Sequence, residues 1–504
     1  MIFTSPLFVL FLVLILLGYW LIIAIKFVSS VKVIRNSQLF MDPGIFFLLL
    51  SSLLFYSAWN PRYLSLLLWV SGVDYWLAGQ ISQGTNEKYR KRLLVFSLCN
   101  SLGVLAIFKY LGFFQENLFE LIQLLGWESH REMLRFVLPV GISFYIFQSI
   151  SYVVDVYRRI LPAEKNYLNY LFYLSFFPQL VAGPIVQAKD FLPQIHNLLP
   201  FPKIQFRFAL FLILLGAFKK SVLADHLAVT SDFSFSHVEE VDREFLWLGF
   251  ISYTGQIYCD FSGYTDIAQG TALLFGFRLP ENFRMPYLAS GFSDFWRRWH
   301  ISLSGWLKNY LYIPLGGSKE GSIRTHFNLI LVMLLGGLWH GASWNFVIWG
   351  FGHGVLLNVE RVMKVFLSKI VVFKKWSESR HIMIGFRICY VALTLFCVSI
   401  LWIFFRSPKF TDSLWYLQGL FIKKGTISIP YTQGLVTYWC LFAIAVGHML
   451  GQRYFKDNEH FLFAGSPDEQ TPVMLMLTGA LFSLGFIGVV LLSGNSLPFV
   501  YFVF

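Results

Sequence analysis

Charge is what this chain has least of. Asp, Glu, Lys and Arg make up 13% of its 504 residues, about half the roughly 25% of an average soluble domain. That excludes an ordinary water-soluble fold. Cysteine is also scarce, with Cys99, Cys259, Cys389, Cys397 and Cys440 scattered mostly through apolar segments. Cys389 and Cys397 are eight apart, which is neither a metal nor a redox spacing. All five read as small buried hydrophobes, and no metal site is expected. No P-loop, no dinucleotide-binding glycine pattern, no HExxH and no GxSxG elbow occurs. Nucleotide hydrolysis, zinc-protease chemistry and serine-hydrolase chemistry are left without support.

What the chain has instead is apolar and aromatic surface, 56% and 19% of residues, with mean hydropathy +0.60. An all-α polytopic membrane protein follows. The longest polar stretches, Pro193 to Gln205, Asp225 to Arg243, Lys364 to His381 and Gln452 to Thr471, are loop-sized, so one membrane domain over 1–504 is expected. The net charge of +12 does not point to nucleic acid, because the basic residues gather in short loops. Lys26, Lys32 and Arg35 follow the first apolar run, and Lys88, Arg90, Lys91 and Arg92 follow the third. The positive-inside rule then puts these loops in the cytoplasm and the N-terminus outside. The run Leu7 to Ile25 is too long for a signal-peptide core and lacks a basic flank, so it reads as a first transmembrane helix. A second helix is expected over Ile45 to Ser57 and a third over Tyr63 to Ile81. In all, roughly 10 to 13 crossings are expected, with re-entrant pieces. Pro139-Val-Gly141, Pro178 and Gly183-Pro184 interrupt apolar runs, and such breaks survive at membrane depth only when buried or lining a cavity. No internal repeat is visible, which weakens a secondary-transporter reading.

Against this background His340 stands out. It lies within the 26 residues Phe327 to Gly352, which contain no Asp, Glu, Lys or Arg. An ionisable group at membrane depth is costly and is a functional-site hypothesis by default. Desolvation keeps such an imidazole neutral, and a neutral imidazole can accept a hydroxyl proton as a general base. Asn345 and Ser343 are the nearby candidates for fixing its tautomer. A second unusual segment is Phe292 to Gly317, where Asp294, Arg297, Arg298, His300 and Lys308 are mixed with Trp296, Trp299, Trp306, Tyr310 and Tyr312. It suits an interfacial or re-entrant helix. If helical, Trp296, His300 and Ser304 share one face. His300 is open to three readings: anchor, substrate-binding donor or second catalytic group. Arg297 and Arg298 fit the phosphates of an acyl donor or lipid headgroups equally well. His353, thirteen residues after His340, falls on another helix face and reads as structural. The remaining histidines sit mostly in or beside polar loops. Asp155, Asp260 and Asp266 read as paired structural acids.

The blocks FWRRWHISLSGWLKNYLYIPLGG (from Phe295) and GGLWHGASWNFVIWGFGHG (from Gly336) resemble the signature of membrane-bound O-acyltransferases, in particular the bacterial branch that acetylates alginate. The likeness extends to Ala58–Leu64, Leu138–Arg158, Phe176–Ile185, Tyr253–Ala268 and Trp402–Ser407. The resemblance implies a core over about 138–357, with tilted helices around a central funnel. It makes His340 the active-site histidine and His300 its second motif histidine. Arg297, Arg298 and Asn345 become candidates for donor binding. The ending Phe499-Val-Tyr501-Phe-Val-Phe504 resembles an F-x-Y-x-x-F pattern in which the tyrosine carries the acyl group, so Tyr501 is either a covalent relay or an aromatic interface anchor.

The expected function is acetyl transfer from a cytoplasmic donor, acetyl-CoA or another acyl thioester, to an extracytoplasmic polysaccharide at the bacterial cytoplasmic membrane. No bound cofactor is expected. A periplasmic transferase partner, an acyl-CoA or acyl-carrier donor and membrane lipids are implied, and nucleic acid is not. Within the class the alternatives are peptidoglycan O-acetylation and D-alanyl transfer to teichoic acid. Outside it stands a proton-coupled transporter with His340 as relay.

Overall fold

A computed structural model describes the chain except residues 1–2, 4, 29–40, 128–133, 135, 182, 199–204, 370–378, 423–424, 455–471, 495–496, 498 and 500–504. Among the described residues the regular structure is helical, apart from one isolated bridge, Val241 to Ile427. The chain divides into two compact units, Met1–Ile213 with Tyr264–Pro280, and Leu214–Gly263 with Glu281–Phe504.

The first unit holds α1 (Pro6–Val28), α2 (Pro43–Ser57), α3 (Leu64–Gln83), α4 (Glu87–Leu105), α5 (Leu111–Leu124), α6 (Ile142–Tyr157), α7 (Tyr167–Ser175), α8 (Phe177–Leu180) and α9 (Ala188–His196). Local chemistry sets the boundaries. Asp42 accepts hydrogen bonds from the Gly44 and Ile45 N–H groups ahead of α2, and Asn86 does the same for Lys88 and Tyr89 ahead of α4. Gly141 starts α6 at φ 77°, where a Cβ would lie 2.4 Å from the Leu180 carbonyl oxygen. Pro139, Pro178, Gly183 and Pro184 are all buried, as breaks at membrane depth must be. Asp74, fully buried on α3, accepts from Ser97 (2.6 Å), Ser101 (2.8 Å) and Ser149 (2.5 Å), tying α3 to α4 and α6.

Next come α10 (Phe206–Ala217), α11 (Asp225–Ser236) and the long α12 (Arg243–Leu274). Both α10 and α12 begin in one unit and end in the other. The second unit continues with α13 (Phe292–Trp296), α14 (Ile301–Leu307), α15 (Ser322–His340), α16 (Trp344–Lys369), α17 (Arg380–Arg406), α18 (Phe410–Phe421), α19 (Tyr431–Tyr454) and α20 (Pro472–Leu492). Its core is aromatic, with Trp299, Trp349, Trp402, Phe346 and Phe405 packed into one cluster.

Five stretches of described helix are long and apolar enough to cross a membrane: Pro6–Lys26, Glu87–Leu124, Ser322–His340, Arg380–Arg406 and Tyr431–Gln452. Others, such as Pro43–Ser57, are apolar but shorter.

Four expectations need correction. The polar stretch from Asp225 is helical to Ser236, because its polar side chains face partners such as Lys220. Cys99 and Cys389 are exposed rather than buried. The segment Phe292 to Gly317 is not one helix, and the apolar stretch around His340 is not one span.

Candidate functional site

The apolar stretch 327–352 turns back on itself. His340 is the last residue of α15, Gly341 is extended, and α16 starts at Trp344. Glycines allow the two helices to meet backbone to backbone. A Cβ on Gly337 would lie 2.2 Å from the Phe346 carbonyl oxygen, and one on Gly350 would lie 2.4 Å from that of Met333. His340 therefore sits at the apex of a helical hairpin, not in mid-helix. Hydropathy is blind to direction, so a hairpin and a single span look alike in sequence. The His340 ring is 7% exposed and walled by aromatic edges, Trp349 at 5.1 Å, Phe405 at 5.2 Å and Trp339 at 5.0 Å between centroids.

His300 reaches the same place from another segment. The helical face expected to join Trp296, His300 and Ser304 does not form. α13 ends at Trp296, and His300 itself adopts a left-handed conformation, φ 43°, before α14 begins. This break turns the ring inward. His300 is fully buried, with its centroid 6.4 Å from that of His340 and 4.8 Å from that of Phe261. Its Nδ1 lies 3.0 Å from Oδ1 of Asn282, which also receives the Ser302 N–H (3.2 Å) and hydroxyl (2.8 Å). The segment carrying Asn282 is itself strapped to the turn. Ile301 N–H donates to the Asn282 carbonyl, and Arg284 N–H to the Arg298 carbonyl.

Two carboxylates hold the histidine turn. Glu360 of α16, 4% exposed, accepts the Ser293 N–H at 2.7 Å and pairs with Lys364, so α13 is fastened to the hairpin that carries His340. Asp294 accepts the Ser290 N–H and Arg298 Nε, both at 3.0 Å. Burial opposes its charge, but these hydrogen bonds and the neighbouring guanidinium outweigh it and hold its pKa below the usual carboxylate value.

The other candidates divide. Arg298 is half-buried on Asp294, while Arg297 is largely exposed and contacts Asp294 only at 3.5 Å. Asn345 donates to the Ser407 carbonyl (2.6 Å) and accepts from Ser413 (3.4 Å), so its amide joins the hairpin to the end of α17 and to α18. His353 does not share a continuous helix with His340, as the spacing argument supposes. It lies on α16, buried beside Trp349 (4.7 Å) and Trp296 (4.9 Å) in the same aromatic cluster. Asp260 is indeed paired: Lys220 binds it at 2.8 Å and Asp225 at 2.7 Å. Tyr501 lies outside the described residues. Two residues earlier in the sequence, Phe499 is buried against Phe261, the ring that edges onto His300.

Sequence reasoning missed Asn282, Glu360 and Lys220. It also did not single out His448, which is buried on α19, its Nδ1 donating to the Ile444 carbonyl. Its place inside the apolar run Val436 to Leu450 was the available signal.

Residues 158–405 match the family model of membrane-bound O-acyltransferases (MBOAT), a range that contains His300, His340, Asn282 and Glu360. The chain is 37% identical over 401 residues to a peptidoglycan O-acetyltransferase of Helicobacter pylori, covering 74% of this chain and 73% of that protein. It is 42% identical over 321 residues to a probable alginate O-acetylase of Pseudomonas putida, covering 63% of this chain and 65% of the relative, just under two thirds of its length. A teichoic acid D-alanyltransferase of Bacillus subtilis is 25% identical over 252 residues, 47% of this chain and 60% of that protein.

Proposed function

Because the chain belongs to the membrane-bound O-acyltransferase family, we propose that it moves an acetyl group from a cytoplasmic thioester, acetyl-CoA, to the hydroxyl of an extracytoplasmic polysaccharide. The observation that carries this is the meeting of two buried histidines from separate segments, with ring centroids 6.4 Å apart. His340 acts as general base. It takes the proton of the attacking hydroxyl as the oxygen bonds to the thioester carbonyl carbon. The C–S bond then breaks and the thiolate leaves with that proton. The C-terminal end of α15, where His340 sits, favours the transient positive charge on the ring. The aromatic walls exclude water that would otherwise hydrolyse the thioester.

The relatives named alginate O-acetylase favour an alginate-like exopolysaccharide as acceptor. A second reading, peptidoglycan O-acetylation, is favoured by the Helicobacter relative, whose match covers 74% of this chain and 73% of that protein. The protein works in the bacterial cytoplasmic membrane with its N-terminus outside and its basic loops inside. A periplasmic transferase partner receives the acyl group, and Tyr501 is the candidate carrier residue for that hand-over. Arg297 and Arg298 are the candidates to meet a donor phosphate, Arg298 paired with Asp294 and Arg297 more exposed.

Sealed membrane vesicles of both orientations, given labelled acetyl-CoA, test this reading. Label should reach glycan only when the donor is supplied to the cytoplasmic face. Proton-coupled flux without any acyl transfer would instead support transport.

A further inference from the structure

We propose that Asn282 is a positioning residue that locks His300 in the tautomer protonated at Nδ1, so that His300 receives a hydrogen bond at Nε2 instead of giving one. The inference rests on the acyltransferase reading for its catalytic consequence, though not for its geometry.

The tautomer follows from the groups around one oxygen. A backbone N–H can only donate, and that of Ser302 lies 3.2 Å from the Asn282 side chain. The atom facing it is therefore the amide oxygen. Turning the amide over would set its NH2 against that N–H. The Ser302 hydroxyl donates to the same oxygen at 2.8 Å. His300 Nδ1, 3.0 Å away, can bond to this oxygen only if it carries the hydrogen. In a neutral imidazole the other nitrogen then holds a lone pair. Nε2 is buried, and among the described residues it has no hydrogen-bond partner. A buried acceptor left unsatisfied is costly and points to a group that arrives with the reactants.

Asn282 is held in place for this task. The Ile301 N–H on its carbonyl and the Arg284 N–H on the Arg298 carbonyl clamp the two segments together. They also maintain the left-handed backbone of His300, φ 43°, which a non-glycine residue rarely adopts.

The consequence concerns what His300 recognises. A carbonyl oxygen that becomes an oxyanion needs hydrogen-bond donors. Nε2 in this tautomer offers none. It suits a proton-bearing group, a hydroxyl of the acceptor glycan or an N–H of the donor's arm, and holds it beside His340.

Two substitutions test the proposal. Asn282→Asp keeps an acceptor oxygen on Nδ1–H, and Asn282→Leu removes it. Asn282→Leu should lower kcat by roughly 10- to 100-fold, by analogy with the loss of the partner that orients a metal-ligating histidine, with KM little changed. Asn282→Asp should retain most of kcat with its acid limb moved to higher pH, since a carboxylate favours the charged ring. Nitrogen NMR on histidine-labelled protein, with the signal assigned by its loss in His300→Gln, gives a readout independent of turnover. The wild type should show a protonated Nδ1 and a bare Nε2, and Asn282→Leu a mixture of tautomers. The proposal is overturned if the wild-type ring is protonated at Nε2, or if Asn282→Leu keeps the wild-type kcat. It is equally overturned if both variants lose activity only in proportion to folded protein, with unchanged pH profiles. Failure of the acyltransferase reading would appear differently, as a wild type that transfers no acetyl group.

Discussion

At the scale of single residues, Lys220 shows what a buried ion pair costs when it is broken. Its ammonium group lies between Asp225 and Asp260, and all three side chains are at most 5% exposed. Lys220→Met would leave two buried carboxylates without their cation. Removing one partner of such a group destabilises by about 3–5 kcal/mol. A clear drop in the unfolding midpoint in detergent is expected, recovered when Asp225→Asn and Asp260→Asn are added. If Lys220→Met unfolds like the wild type, the three charges do not act as a unit. His340 was legible in the sequence because an ionisable group is costly in a charge-free apolar stretch and rarely persists there without a use. Asn282 and Glu360 were not. Each acts on a residue far along the chain, 18 residues away for the Asn282–His300 pair and 67 for Glu360–Ser293, and neither belongs to a pattern that names its target.

At the scale of elements, the α15–α16 hairpin is the frame of the site. Its close approach depends on Gly337 and Gly350, where added methyl groups would strike backbone carbonyls. Gly350→Ala should force the helices apart at a cost of about 1–3 kcal/mol, and lower turnover by displacing His340 relative to Trp349. Gly103→Ala in α4, where an added Cβ meets nothing within 4 Å, serves as control and should leave turnover unchanged while raising stability by about 0.5–1 kcal/mol. Equal behaviour of the two variants in thermal unfolding and turnover would contradict the tight-hairpin account. The apolar periods placed α2 and α3 to within a few residues. They failed at Gly341 and His300, where hydropathy and helix periodicity run on but the backbone does not. A turn that depends on one extended glycine, or on a left-handed histidine fixed by Asn282, leaves no trace in either pattern.

At the scale of the whole molecule, the helical membrane class was legible from composition alone, because so little charge cannot clothe a soluble surface. The family was legible from two blocks, those of His300 and His340. The geometry adds that both blocks belong to one compact unit and come together through the hairpin, the Glu360 anchor and the Asn282 clamp. His340 as catalytic base makes the sharpest demand on the protein. The most direct measurement is acetyl transfer to glycan by purified His340→Ala, reconstituted with the periplasmic transferase partner, beside the wild type, with insertion and unfolding midpoint matched. Turnover should be lost while the variant remains folded in the membrane. A folded His340→Ala that acetylates glycan at the wild-type rate would contradict that role.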